Sequence, residues 1–209
     1  MDIEALRHGN FASLDTAVDD WTGMIKHLVA MEKSARDDLM VKANRANWAG
    51  VNATVSREFI NRTAGEFADA VTQATSIRNI LRDTRSELIS CRDELNRAID
   101  RGWDKHLSVA GVKGGGFSVY VNVHPEPVGS KEAMVPLRDE LQRILVKATE
   151  SDSTAAEVLK ALANHAEYGF SDASYKDRDS AADAVQAAKD MAKIVKKDPE
   201  TALPRTWQT

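Results

Sequence analysis

Apolar side chains recur at alternating intervals of three and four residues along the first hundred positions. One row of these positions begins at Phe11 and reaches Ala46, and a second begins at Ile60 and reaches Ala98. This heptad spacing places the apolar residues on one face of an α-helix and is typical of coiled coils. It predicts two long helices, over residues 11–46 and 52–103, which are about 54 Å and about 77 Å long at a rise of 1.5 Å per residue.

The segment between the two rows predicts a helical hairpin. Gly50 can adopt the positive φ that ends a helix, and Asn52 or Thr54 can cap the next one. Because the connection is short, we expect the helices to run antiparallel. The second helix then extends about four turns beyond the first.

This overhang of the second helix carries apolar residues, which we expect other elements to bury. We expect a short helix within residues 1–9 to return Ile3 and Leu6 to the overhang. The residues that the overhang presents to other elements are Leu88, Leu95, Ile99 and Trp103.

The chain changes character after Trp103. Two runs, 106–113 and 117–123, flank three consecutive glycines, and the second run alternates apolar and other residues from Phe117 to Val123. Period-two alternation predicts a β-strand, so we expect a β-hairpin whose apolar face covers the overhang. The glycine spacing from Gly111 to Gly116 is that of a phosphate-binding loop, but Phe117 occupies the lysine position and a strand comes next, which argues against a nucleotide site.

Three shorter helices are predicted for the C-terminal part. The linker 124–129 precedes a helix with Pro136 in its first turn. A second helix is expected to be capped by Asp152 or Ser153, and a third by Asp179 or Ser180, with residues 168–178 as a loop between them. Their simplest role is to cover the overhang and complete a bundle.

The predicted fold class is therefore mainly α: a long antiparallel two-helix coiled-coil hairpin, a small β-hairpin and a C-terminal set of three shorter helices. The expected domain organisation is a helical hairpin over 1–105, a β-hairpin and linker over 106–129, and C-terminal helices over 130–209 packing on the overhanging second helix.

Composition narrows the possible functions. The 28 Lys and Arg against 32 Asp and Glu give a formal charge of −4 without a basic half, so we expect no nucleic-acid partner. The single cysteine, Cys91, excludes an intramolecular disulfide and is expected to be a small buried hydrophobe. The N-terminus lacks the pattern of a cleaved signal peptide, and no apolar run approaches the length that spans a bilayer, so we expect no membrane insertion.

Motifs for catalysis or metal binding are absent from the sequence. The five histidines are widely separated and form no pattern of metal-ligand spacing, so we expect neither a metal nor a cofactor. Ser, Cys and Lys candidates lack a recognisable activating arrangement. An enzyme with a site assembled between the two halves is the least favoured class.

The break between the two rows contains Trp48-Ala49-Gly50. A hairpin of two long helices with Trp-x-Gly in its turn resembles the WXG family of type VII (ESX-type) secretion substrates, and the related helical trafficking domains that head actinobacterial polymorphic-toxin-like proteins. The hairpin carries this resemblance over roughly residues 1–103, and the segment from Leu145 to Leu162 is similar to the region after the hairpin in the longer proteins.

The resemblance implies that Trp48 is exposed at the hairpin tip and forms, with a partner's C-terminal tail, a bipartite export signal. In the alternative interpretation, Trp48 packs over the helix ends and Gly50 stops the helix. The companion signal of the family is Tyr-x-x-x-Asp/Glu just after the second helix. Two segments fit its spacing, Tyr168 with Asp172 and Tyr175 with Asp179, although neither lies beside residue 103.

The favoured function is a non-enzymatic helical protein that resembles a type VII secretion substrate or trafficking adaptor and acts through protein contacts. Expected partners are a second copy or a related helical hairpin, and a secretion ATPase. The protein is then cytoplasmic before export and secreted without a cleaved signal peptide. Many relatives carry a toxin beyond this region, so the chain is expected to be a stand-alone carrier or the leader of a longer protein. The alternative is a cytoplasmic interaction, immunity or assembly protein in which the Trp-x-Gly turn is only structural.

Overall fold

The computed structural model describes residues 1–45, 51–165 and 172–197. The first predicted helix is present as α2 (Ala12–Lys33), a π-helical turn (Ser34–Leu39) and α3 (Met40–Arg45). The second is a single helix, α4 (Val51–Trp103), which begins within one residue of its predicted start. A short helix, α1 (Ile3–Arg7), precedes them, and the Asp2 carboxylate caps it by accepting the Ala5 N–H at 2.7 Å.

The β-hairpin is present with nearly its predicted bounds. Strands β1 (Leu107–Gly111) and β2 (Phe117–Val121) pair antiparallel, with Val109 opposite Val119. All three turn glycines, 114–116, have positive φ, a conformation that L side chains rarely adopt.

The C-terminal part contains two helices in the described residues, α5 (Ser130–His165) and α6 (Arg178–Lys197). The break predicted at Asp152 and Ser153 is wrong: both lie inside α5, and the Ser153 hydroxyl donates to the Glu150 carbonyl at 3.1 Å instead of capping a new helix. The helix continues because its buried row continues through this point at intervals of three and four, from Ala148 through Ser151 to Ala155. Pro136 lies inside α5 and not in its first turn, because the helix begins at Ser130, six residues before it.

The mainly α fold class, with a long helix, a small antiparallel β-hairpin and C-terminal helices, is thus confirmed. The chain divides into two compact units, the first made of residues 1–19 and 81–155 and the second of residues 20–80 and the remainder from 156 onwards. Helices α4 and α5 each contribute to both units.

The first unit has a core of large apolar side chains. Ile3 and Leu6 of α1 are buried against the second part of α4, and the inward face of the β-hairpin packs on the same cluster, as the sequence predicts. The buried members are Ile3, Leu6, Leu88, Cys91, Leu95, Ala98, Leu107, Leu137, Leu141, Ile144, Leu145 and Ala148.

The sequence predicts that Trp103 faces other elements of the fold. This prediction is wrong, because its side chain is 65% exposed. Gly102 takes the inward position in this last turn of α4. A Cβ added there would lie 2.6 Å from Cδ2 of Leu137, so α5 approaches the α4 backbone closely at this point. The next residue is rotated by about 100° around the helix and therefore faces solvent.

The second unit buries mainly small residues. Its large buried apolar side chains in the described ranges are Ile80, Val158 and Leu162, and its other buried apolar residues are alanines. These alanines are Ala35, Ala53, Ala64, Ala70, Ala74 and Ala181. Small residues permit close helix packing but remove less apolar area from water per turn.

Candidate interaction site

The predicted site residues divide between described and undescribed parts of the chain. Trp48, Gly50 and Tyr168 lie outside the described residues. Asp172 is exposed, Tyr175 is half-buried, and the Asp179 side chain is 80% exposed. Only the second Tyr-x-x-x-Asp segment therefore has both of its ends in the described structure.

Tyr175 is held through its backbone by two side chains of α4. Its N–H donates to the Ser76 hydroxyl at 3.0 Å, and its carbonyl accepts from the Asn79 amide at 3.2 Å. Ser76 is fully buried and Asn79 nearly so. The segment before α6 is thus fixed by hydrogen bonds that satisfy backbone groups which a loop cannot pair by itself.

A third polar side chain on the same stretch of α4 acts in a similar way. Gln73 is buried and donates from its amide to the Leu162 carbonyl of α5 at 3.1 Å. Gln73, Ser76 and Asn79 succeed one another at intervals of three and so lie along one side of α4. The apolar rows provided no reason to select these residues. The regular spacing of these three polar residues along α4 was the available signal.

The N-cap of α6 differs from the prediction. Asp177 caps the helix, since its Oδ1 accepts the Ser180 N–H at 2.8 Å while the Ser180 hydroxyl donates to the Asp177 carbonyl at 2.9 Å. The backbone and hydroxyl of Ser180 lower the pKa of the Asp177 carboxyl. Asp179, one of the two predicted caps, lies in the first turn and pairs with the Arg178 guanidinium at 3.0 Å.

An open apolar groove of about 420 Å³ lies beside Tyr175 in the second unit. Its walls come from α5, through Val158 and Leu162, and from α6, through Val185 and Ala188. An ion pair between Lys189 of α6 and Glu157 of α5 joins the two helices. Farther along α6, Met191 is 69% exposed, so the apolar face of this helix is only partly covered.

Large apolar side chains are also exposed on both sides of the predicted hairpin turn. We define the turn-proximal apolar surface by five of these residues, namely Leu39, Val41, Val51, Val55 and Phe59. The last three recur every four residues at the start of α4, and Phe59 is 68% exposed. Such a row on one helix face is a feature of helices that pack against a partner.

The first unit contains a charged cleft of about 480 Å³ between α4 and α5. Arg101 and Glu140 pair across it at 2.6 Å, and Arg97 and Arg143 also line it. Its described lining contains ion-pairing side chains and Ile144 but no histidine, serine or cysteine. The arrangement is that of a solvated set of ion pairs.

Candidate catalytic and metal-binding groups are dispersed. In the described ranges, no three His, Cys, Asp or Glu side chains are grouped so that they can hold a metal ion. His27, His106 and His124 are exposed, and the Cys91 thiol is buried in the first core, where burial raises its pKa. A thiol kept protonated in this way is a poor nucleophile.

Comparison with protein-family models, with curated proteins and with solved structures found no match for this chain. None of the helices, over the residues that are described, has the length and apolar character needed to cross a membrane.

Proposed function

We propose that this protein is a non-enzymatic interaction module, similar to type VII secretion substrates, that is exported through contacts made at the turn end of its helical hairpin. The observation that carries the proposal is the turn-proximal apolar surface. In the unit that contains it, most buried apolar positions are alanines, while larger side chains such as Val55 and Phe59 are exposed. A second helical protein would remove these side chains from water.

The position of this surface along the chain supports an export role for the Trp-x-Gly segment. Helix α3 ends at Arg45 and α4 begins at Val51. In the sequence, Trp48 and Gly50 therefore lie between the two parts of this surface. We propose that a partner docked on the surface also contacts Trp48. The expected partner that packs on the apolar row is a related helical hairpin or a second copy. A secretion ATPase is expected to bind the resulting complex.

The second Tyr-x-x-x-Asp segment suits a recognition role in a different way. Hydrogen bonds to α4 fix the Tyr175 backbone, while Asp179 is exposed on the first turn of α6. Fixing the segment lowers the entropy lost when a partner binds it.

Export is tested by expressing the native chain in a bacterium with a type VII apparatus and measuring the protein in the culture supernatant and in the cells. Trp48→Ala and Gly50→Ala are expected to reduce the supernatant fraction at least about tenfold, as removal of a central aromatic anchor does at interfaces. Trp103→Ala is the matched control, because it removes an exposed tryptophan at the other end of α4. This control is expected to be exported normally.

Absence of the native chain from the supernatant would contradict export, and equal export of the native chain and Trp48→Ala would contradict the role of the turn end in export. The alternative function, a cytoplasmic interaction, immunity or assembly protein, draws on the same apolar surface. It predicts that the protein stays in the cell and that Val55→Asp with Phe59→Asp abolishes its association with the partner without any change in secretion.

A further inference from the structure

The hydrogen-bond pattern of the β-hairpin determines which backbone groups lie on its outer edges. The Asn122 N–H donates to the His106 carbonyl at 2.9 Å, and the Val112 N–H donates to the Gly116 carbonyl at 3.2 Å. In an antiparallel pair, hydrogen-bonded and non-hydrogen-bonded residue pairs alternate. With the observed register, Ser118 and Tyr120 therefore direct their N–H and C=O groups towards β1.

The backbone groups of the other β2 residues, Phe117, Val119 and Val121, consequently point away from β1. None of these three residues makes a further backbone hydrogen bond within the described chain. Their side chains pack on the first core, so the strand is held in place while this edge stays open. The opposite edge is more restricted, because Glu4 of α1 lies so close to Gly111 that a Cβ added there would be 2.9 Å from its Cγ.

The β2 edge lacks the features that usually prevent edge pairing. Residues 117–123 include no charged residue, no proline and no glycine, and they are rich in β-branched and aromatic side chains. Natural edge strands commonly carry Lys, Pro or a bulge to avoid association with another strand. On its outward face this strand carries only Ser118 and Tyr120, and Tyr120 is 48% exposed.

We propose that β2 pairs antiparallel with β2 of a second copy of this chain, centred on Val119, to form a four-stranded sheet across a two-fold axis. In this register Val119 faces its own equivalent and Phe117 faces Val121 of the second copy. The three pairs are Phe117 with Val121, Val119 with Val119, and Val121 with Phe117 of the second copy. Each pair brings outward backbone groups together and forms two hydrogen bonds, six in all. The pairing is isologous, so one strand supplies both halves of the interface.

The absence of charge is what favours a second copy as the occupant. A charge at position 119 would face its own equivalent, and like charges at positions 118 and 120 would face each other across the axis; such pairs are destabilising, and β2 carries none of them. In the proposed register, Ser118 lies opposite Tyr120 of the second copy on the solvent face, which is a neutral pairing. This dimer does not depend on the turn-proximal apolar surface or on export.

Sedimentation velocity on the full chain tests the proposal. The native protein is expected to have the mass of a dimer with a dissociation constant below about 100 µM. Ser118→Lys with Tyr120→Lys places introduced lysines opposite each other across the axis and is expected to weaken the dimer at least about tenfold. Ser118→Lys with Tyr120→Glu changes the same positions but places opposite charges together, and is expected to restore the dimer.

Concentration-dependent amide exchange provides a second readout. The outward amides of Phe117, Val119 and Val121 are expected to exchange more slowly as the protein concentration rises, whereas those of Ser118 and Tyr120 are already bonded to β1. Far-UV circular dichroism verifies that each variant is folded.

Several results would overturn the proposal. They are a native protein that stays monomeric up to about 0.5 mM, a dimer that persists in the double-lysine variant, and failure of the lysine–glutamate variant to re-form the dimer. Loss of the dimer in Val55→Asp with Phe59→Asp would assign it to the turn-proximal apolar surface and would also overturn the proposal.

Discussion

Ser76 and Asn79 are buried polar side chains whose hydrogen bonds reach the backbone of Tyr175, almost a hundred residues away in the sequence. A buried polar group lowers stability when it has no partner, but here each partner is a main-chain group that also requires one. Ser76 additionally donates to the Thr72 carbonyl at 3.0 Å within its own helix. At the residue scale, these contacts hold the start of the last segment.

Ser76→Ala is expected to lower the free energy of unfolding by about 1–3 kcal/mol, because the partly buried Tyr175 N–H loses its acceptor. Asn79→Ala removes the donor to the Tyr175 carbonyl and is expected to act in the same direction. Urea denaturation measures the change, and hydrogen exchange at the Tyr175 amide localises it. Ser86→Ala is the matched control, since the exposed Ser86 hydroxyl bonds only its own helix, at the Arg82 carbonyl. An effect of equal size in this control would contradict the role of these two hydrogen bonds.

At the scale of elements, periodic spacing predicted the helices and strands, while side-chain hydrogen bonds set several of their ends. The start of α6 at Arg178 is explained by the Asp177 cap. The sequence analysis named Asp179 and Ser180 as caps, and propensity alone does not distinguish them from the neighbouring Asp177. The choice depends on where the segment held by Ser76 and Asn79 ends and the helix can begin.

The cap predicts a pH dependence for α6. The carboxyl of Asp177 has a pKa below its ordinary value of 3.8, because the charged form accepts the Ser180 N–H. A lowered pKa in the folded state means that the contribution to stability is present at neutral pH and is lost as the pH falls from about 3.8 through the lowered value. Amide exchange at Ser180, measured from pH 6 to pH 2 and corrected for intrinsic rates, is expected to show this loss.

Asp177→Asn is the matched variant for this titration. Asparagine caps helices as well as aspartate does but does not titrate, so the variant is expected to keep the helix and lose this pH dependence. The variant also distinguishes the titration of Asp177 from that of Asp190, whose pKa is lowered by hydrogen bonds from Gln186 and Lys193 in the same helix. An unchanged titration at Ser180 in Asp177→Asn would show that a group other than Asp177 causes the pH dependence.

At the scale of the whole molecule, the two compact units differ in what they bury. The first buries large side chains such as Leu95 and Leu141, while the second buries mainly alanines and a set of hydrogen-bonded polar residues. Burial of a leucine removes much more apolar area from water than burial of an alanine. The second unit is therefore expected to open more readily than the first.

Helix α4 allows this difference to be measured within one element, because residues 51–80 belong to the second unit and residues 81–103 to the first. Native-state hydrogen exchange is expected to give protection factors at least about tenfold lower at Ala70 and Ala74 than at Leu95 and Ala98. Leu95→Ala is expected to reduce the difference by lowering the stability of the first core by about 2–5 kcal/mol. Equal protection along all of α4 would show that the helix opens as a single unit.

The sequence by itself determined the elements whose signal is local and repeated. Heptad spacing from Ile60 predicted the long helix α4, the turn and capping residues near Gly50 and Asn52 placed its start within one residue, and period-two alternation predicted β2. The same patterns placed Ile3, Leu6 and the inward face of the β-hairpin on the overhang, where the structure has them. These predictions hold because α1, the second part of α4 and the β-hairpin each bury one apolar face, and the spacing of apolar residues indicates that face.

Tertiary structure decided what depends on contacts between distant residues. The outward position of Trp103 results from the approach of Leu137 to Gly102, and the continuity of α5 results from a buried row that passes through two good capping residues. Unpaired backbone groups likewise determine which partners Gln73, Ser76 and Asn79 bind. They also determine which edge of β2 is open. Hydrogen bonds of this kind satisfy whichever donors and acceptors the packed elements bring together, and the linear order of residues does not specify those pairs.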